Sequence, residues 1–188
     1  MRHVRPRFAT VVALALLLAG GASGAGASSA PRPSACAPRA PIELPVDPWP
    51  AARSKLAPSG ASAIRLCRYD GLDSKPARGL ARSALVTNGP AIATLIGELD
   101  ALPAMSKKAF CPIDTGAEIV ALIAYPGDHG VLVAIDLTGC AIASNGIVVR
   151  TAGSTPAGHA LLAKIEHLTD YRGTVFQRLA HSPAHRQG

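Results

Sequence analysis

Aromatic side chains are scarce. Phe, Trp and Tyr make up 4% of the 188 residues, and Trp49 is the only tryptophan. A single-stranded nucleic acid needs a basic groove with a series of stacking rings, so this composition argues against nucleic acid as a partner. The chain has no G-x-S-x-G, so the nucleophile elbow of the α/β-hydrolases is missing. It also lacks a Walker A loop, a dinucleotide glycine motif and H-E-x-x-H, which disfavours nucleotide cofactors and zinc-peptidase chemistry. There is no C-x-x-C and no histidine beside a cysteine pair, so thioredoxin-like and zinc-ribbon readings are weak. Asp70 and Asp73 share a loop without the D-x-D-x-D-G calcium pattern and read as solvated turn acids. His129, His159 and His167 read as surface groups. His181 and His185 stand four apart but lack a third ligand for a metal. No cofactor, metal or catalytic residue is expected, and the chain is read as no enzyme.

What is present begins with an export signal. Arg2, Arg5 and Arg7 precede the apolar run from Phe8 to Ala19, and Ala25-Gly26-Ala27 fits an A-x-A cleavage site. The apolar run is shorter than the ~20 residues that span a bilayer, so no retained membrane span is expected; a retained anchor is the alternative. Cleavage after Ala27 removes three of the 19 basic residues and none of the 12 acidic ones, lowering the net charge from +7 to +4. The signal implies a secreted, extracellular protein, and its mild positive charge suits adhesion to anionic envelope polymers without specifying nucleic acid. Cys36, Cys67, Cys111 and Cys140 are an even set, which in an exported chain implies two disulfides. Four cysteines allow three connectivities. Pairing Cys111 with Cys140, and by remainder Cys36 with Cys67, is the expected one.

That expectation comes from the stretch between Cys111 and Cys140. Glu118 to Tyr125 and Val131 to Leu137 are rich in β-branched and large apolar residues. Between them Pro126, Gly127, Asp128, His129 and Gly130 are turn formers, so the stretch predicts a β-hairpin. Val131, Val133, Ile135 and Leu137 share one face, and Leu132, Ala134, Asp136 and Thr138 the other. Antiparallel pairing brings the flanking cysteines together. Asp136 is an acid within an apolar strand, while Asp114 and Asp128 suit turns.

Residues 28–60 are rich in Pro, Ala and Ser and read as a linker, in which Cys36, Ile42, Leu44 and Trp49 are the docking points. Ala63 to Tyr69 and Ala81 to Thr87 read as strands around a polar loop. Ile92, Leu95, Ile96, Leu99 and Leu102 make a helical stripe closed by Pro103. Asn145-Gly146 predicts a two-residue hairpin turn leading to a strand over Ile147 to Arg150. Thr155 and Pro156 then open a second helix with the stripe Leu161, Leu162, Ile165 and Leu168. Lys107 and Lys108 read as solvated loop residues. The expected fold is one α+β domain over residues 61–172: an antiparallel sheet of about five strands with two helices on one face, braced by disulfides. Residues 1–27 are the signal peptide and 173–188 a basic tail.

Leu99-Asp100-Ala101-Leu102, Cys111-Pro112 and Cys140 together resemble the secreted subtilisin-inhibitor-like family of bacterial serine-protease inhibitors, over roughly Ile64 to Asn145. The resemblance implies an exported sheet with two helices and two disulfides, and Cys67 is similar to the family's first cysteine of the second bridge. It also implies a reactive loop at Cys111, Pro112, Ile113, Asp114 and Thr115, with the scissile bond between Ile113 and Asp114. Ile113 would be the specificity residue, and Pro112 with the Cys111 bridge would stiffen the loop. The chain departs from the family in having a β-branched residue at 113 and an acid at 114. Gly89, Pro90 and Ala91 stand where the family has a cysteine, and the segment Ala77 to Asn88 is longer. Two functions are therefore expected: an exported non-catalytic binding module of the envelope or extracellular space or, as the alternative, an inhibitor of an extracellular protease.

Overall fold

The structure, a computed structural model, describes residues 33–44, 49–106 and 110–169. Residues 1–27, read from the sequence as a signal peptide, and 173–188, read as a basic tail, lie outside the described residues. Six strands and two helices follow one another as β1 (Ala63–Tyr69), β2 (Leu80–Val86), α1 (Gly89–Asp100), β3 (Glu118–Ala124), β4 (Gly130–Asp136), β5 (Ile142–Ser144), β6 (Val149–Thr151) and α2 (Pro156–Leu168). Every pairing is antiparallel, in the order β2-β1-β3-β4-β5-β6. The expected α+β domain is present, with six strands rather than about five. The extra one, β5, is three residues long, too short to show an alternation of its own.

The central hairpin forms because two runs of β-branched residues meet in register. Glu118 faces Asp136, Val120 faces Ala134, and Ala124 faces Gly130. Gly127 and Asp128 take the left-handed backbone (φ 76° and 59°) that reverses the chain between β3 and β4. Ile119, Ile123, Val133 and Ile135 point to one side, where Ile92, Leu95, Ile96 and Leu99 of α1 and Leu161, Leu162 and Ile165 of α2 cover them in one core. Burying each such side chain contributes about 1.5–3 kcal/mol. Both helices start on side-chain caps: Asn88 accepts from the Ala91 N–H (3.0 Å), and Thr155 accepts from the Gly158 N–H (3.0 Å) with Pro156 beside it. Gly158 also lets α2 lie close on the chain after β6, since a Cβ there would stand 2.1 Å from the Ala152 carbonyl oxygen.

The opposite face of the sheet carries Cys67, Tyr69 and Val120, packed with Ala40. Residues 33–41 lie over it as a strap. The Cys36–Cys67 disulfide, a hydrogen bond from Tyr69 Oη to the Ala37 carbonyl (3.1 Å) and a bridge between Arg39 and Gly79 hold the strap in place. Pro50–Arg53 form a 3-10 turn, and Ala52, Leu56 and Ala57 behind it are buried in the helix-side core. Trp49 docks as expected, stacking on His129 (centroids 5.1 Å apart, planes 2° apart) and tilting against Tyr125 (4.8 Å). Ile42 does not dock, being 91% exposed.

The Asn145-Gly146 turn is wider than a two-residue hairpin. The Asn145 side-chain oxygen accepts from the Ile147 and Val148 N–H groups (3.0 and 2.8 Å), so those residues leave the ladder and β6 begins at Val149. No helix among the described residues is long and apolar enough to cross a membrane.

Candidate functional site

Three connections meet at one end of the sheet: the β1–β2 loop, the approach to β3 and the turn between β4 and β5. After α1 the chain runs beside β6, where Thr151 N donates to the Pro103 carbonyl (3.0 Å) and Ala104 bridges Arg150. Lys107 and Lys108 lie outside the described residues. Phe110 then stands 94% exposed, and Cys111 is bonded to Cys140, as the sequence predicts. Pro112, Ile113 and Asp114 follow as an exposed loop, with Ile113 at 89% exposure.

The far side of this loop is fixed by Thr138, a buried residue just past β4. Its hydroxyl donates to Asp114 Oδ1 (2.7 Å) and accepts from the Thr115 N–H (2.9 Å). Having donated to Asp114, it takes its remaining contact, Thr115 Oγ1 at 3.1 Å, as acceptor. Asp114 Oδ1 also accepts from the Gly116 N–H (2.9 Å), and the Thr115 carbonyl accepts from the Leu72 N–H (2.8 Å). Gly139, in the left-handed region at φ 66°, leaves room for the loop, because a Cβ there would lie 3.3 Å from Asp114 Cβ. Ile113 is thus carried between a covalent tie on one side and a hydrogen-bonded knot on the other.

Carboxylates crowd the base of the loop. Glu118 opens β3, is buried, and pairs with Arg78, whose guanidinium also donates to the Pro41 carbonyl (3.0 Å). Burial raises the Glu118 pKa, partly offset by Arg78. Asp136 sits opposite Glu118 across the hairpin. Burial, with the Asp114 and Glu118 charges adding to it, pushes the Asp136 pKa up to about 6, against the opposing pull of Arg78 and the Ile142 N–H. Tyr69, the neighbour of Glu118 on β1, is also raised, by burial first and by Glu118 second.

The sign of the consequence follows from the unfolded reference of 3.8 for Asp136. Between that value and about 6 the folded protein holds a proton that the unfolded chain has released, so stability falls as pH rises through this window. Asp136→Asn removes the charge and keeps an acceptor for Ile142. Urea denaturation of the variant at pH 8 is expected to show a gain of about 1–2 kcal/mol, discounted for solvent screening of a half-buried group. The slope between pH 4 and 7 should be shallower than in the wild type. An unchanged slope would remove Asp136 as its source.

The other residues weighed from the sequence lie elsewhere. Cys36 is bonded to Cys67 beneath the strap. His129 is at the opposite end of the sheet, in the β3–β4 turn. His159 and His167 are exposed on α2, where His159 Nε2 lies 3.0 Å from the Gly153 carbonyl. Glu166, on the inner side of α2, faces Arg68 of β1 at 3.7 Å, and burial raises its pKa despite that partner. Asp73 is exposed and Asp70 half-buried in the β1–β2 loop. Among the described residues, no three His, Cys, Asp or Glu side chains are grouped as a metal ion requires. Thr138, Leu72 and Arg78, which hold the loop and its base, were not marked by any motif; only the structure brings them to Cys111–Thr115. No protein-family model matches the chain, and neither a curated protein nor a solved structure does.

Proposed function

We propose that this chain is an exported, non-catalytic binding module that recognises a protein partner through the loop Cys111–Thr115. The observation that carries the reading is Ile113: a large apolar side chain, 89% exposed, on a backbone held at both ends. A loop already fixed in its bound shape loses little entropy on association, which is how a short segment binds tightly. The chemistry of the loop supports shape over reactivity, since its sulfur is in a disulfide and its carboxylate is hydrogen-bonded within the loop. Two disulfides suit an oxidising, extracellular setting.

A second reading, serine-protease inhibition, is favoured by the same exposure of Ile113 together with the ties on both sides of the Ile113–Asp114 bond. Here Ile113 enters the specificity pocket, and Cys140 and Thr138 keep the two sides of the bond aligned. Titration against subtilisin, trypsin and elastase separates the readings. Inhibition at one-to-one stoichiometry, weakened by about 100-fold or more in Ile113→Gly as for a central anchor residue, establishes the inhibitor. Cleavage without inhibition leaves the binding module alone. Turnover of an ester, peptide or glycan that Asp114→Asn abolishes would overturn both.

A further inference from the structure

The two outer strands of the sheet end differently. At β6 the Thr151 N–H donates to the Pro103 carbonyl and Ala104 bridges Arg150, so the chain after α1 lies along that edge. At β2 the strap does the same for the first residues only. The Leu80 N–H donates to the Pro38 carbonyl, the Ala40 N–H donates to the Arg78 carbonyl, and Arg39 bridges Gly79. Beyond Leu80, nothing among the described residues pairs with the outer side of β2.

The ladder shows which groups point outward. The Asp70 N–H reaches the Gly79 carbonyl, so by strand alternation Arg68, Leu66 and Ile64 also turn their backbone groups toward β2. Their partners are Arg82, Ala84 and Val86, which leaves the N–H and C=O groups of Ser83 and Leu85 directed away from the sheet. Both residues are exposed. Folds blunt such an edge with charge, proline or a bulge. Here the bulge at Arg68/Tyr69 and the Arg82 charge fall in the first half of the strand, and Ser83 to Thr87 has none of the three.

We infer that β2 pairs antiparallel with β2 of a second copy about a two-fold axis at Ala84, joining two six-stranded sheets into one. An unpaired row of N–H and C=O groups calls for an extended backbone, and the bounds of this row fit its own copy. The open stretch runs from Ala81 to Thr87, between the strap at Leu80 and Asn88, the cap of α1. Ala84 is its middle, so each open stretch lies wholly against the other. Ser83 then exchanges backbone hydrogen bonds with Leu85 of the second copy, and the two Leu85 side chains become diagonal neighbours about 7–8 Å apart. Charges of both signs around the edge are accommodated. Arg82 faces Val86 of the second copy, not Arg82. Arg65 stands one strand in, opposite Leu85, and Arg68 is buried against Glu166. Asp70, Asp73, Lys75, Arg78 and Arg39 belong to the Leu80 end, where the second copy presents Thr87, Asn88 and the uncharged first turn of α1. No like charges are directly opposed. The pairing goes beyond the binding-module reading and does not depend on what Cys111–Thr115 recognises; it gives the dimer two such loops, at opposite ends of the joined sheet.

Sedimentation equilibrium of the full exported protein tests the pairing. One strand per copy makes a small interface, so a dimer is expected at about 100 µM and a monomer at about 1 µM. Leu85→Lys sets like charges against each other at the centre, and Ser83→Pro removes an outward N–H that β1 does not use. Each is expected to weaken dimerisation by about tenfold or more, while Val149→Lys, the same change at an exposed residue of β6, leaves it unaltered. The Ser83 and Leu85 amides are also expected to exchange hydrogen more slowly in the dimer than in the monomer. A protein still monomeric at about 1 mM overturns the inference. So does a dimer that both Leu85→Lys and Ser83→Pro retain, since it forms elsewhere, and so does equal weakening in Val149→Lys. Slow exchange of both amides in the monomer would assign the edge to another stretch of the same chain and overturn the second copy.

Discussion

Replacing Cys111 and Cys140 together by serine is expected to cost about 3–4 kcal/mol of stability, the chain entropy released when a crosslink across some 30 residues is opened in the unfolded state. The two cysteines are 29 positions apart and enclose β3 and β4, whose backbone ladder does not run through the bridge. The fold should therefore survive, with a lower urea midpoint. The loop should not survive as a rigid element. Phe110 to Ile113 lose their only covalent tie to the β4–β5 turn, while Asp114 and Thr115 remain on Thr138. Cleavage by a broad-specificity protease is then expected within residues 110–113. The Cys36→Ser/Cys67→Ser pair is the control. It opens a crosslink of similar span, with a separation of 31, but lies under the strap, so it should lower stability without exposing the loop to cleavage. A loss below about 1 kcal/mol for the first pair would contradict the entropic account. Equal loop cleavage in both pairs would show that Cys111–Cys140 does not fix the loop.

Asn145→Ala is expected to be as damaging, at about 3–5 kcal/mol, from one uncharged and buried side chain. Its Nδ2 group donates to the Ala52 and Lys55 carbonyls at 2.9 Å and shares a longer contact with the Leu56 carbonyl at 3.2 Å. Its oxygen holds two N–H groups of its own turn. Alanine leaves backbone groups on both sides without partners, and each such buried group costs about 1–3 kcal/mol. Leu56 and Ala57 are anchored through this contact, so the variant should also expose residues 50–58 to hydrogen exchange earlier than the sheet. Asn145→Asp separates the two halves of the effect: it keeps the acceptor for Ile147 and Val148 and loses the donors to residues 52–56. A loss below about 1 kcal/mol in Asn145→Ala would mean that the segment is held by apolar packing alone.

The elements that read correctly from sequence are those whose signal is local. The alternation of Val131, Val133, Ile135 and Leu137 placed β4 and its buried face. Thr155 followed by Pro156 placed the start of α2 to the residue. The disulfide pairing followed once the hairpin was drawn, because an antiparallel turn brings its two flanks together. The failures have a common cause, which is a partner far away in the chain. Asn145 reads as a turn residue, and nothing near it says that its amide reaches a segment about 90 positions earlier. Residues 49–58 read as Pro- and Ala-rich linker because composition does not record that Leu56 and Ala57 have a place in the core. Ile42 reads as a docking point by its hydrophobicity, yet it projects outward beside Arg78. At the loop, Cys111 to Asp114 were legible as a segment of interest. Thr138 and Leu72, which hold it, are ordinary residues whose importance is only positional.

The pairing of Trp49 with His129 gives the molecule a built-in optical gauge. With a single indole in the chain, its tryptophan emission reports from one place only, against the turn between β3 and β4. That place is a full strand length from Ile113. With a tryptophan-free partner, a shifted spectrum signals that the end of the hairpin at Trp49 is touched or strained. A partner that grips only the loop is expected to leave the emission unaltered, so a silent titration by fluorescence is compatible with tight binding and must be read beside calorimetry.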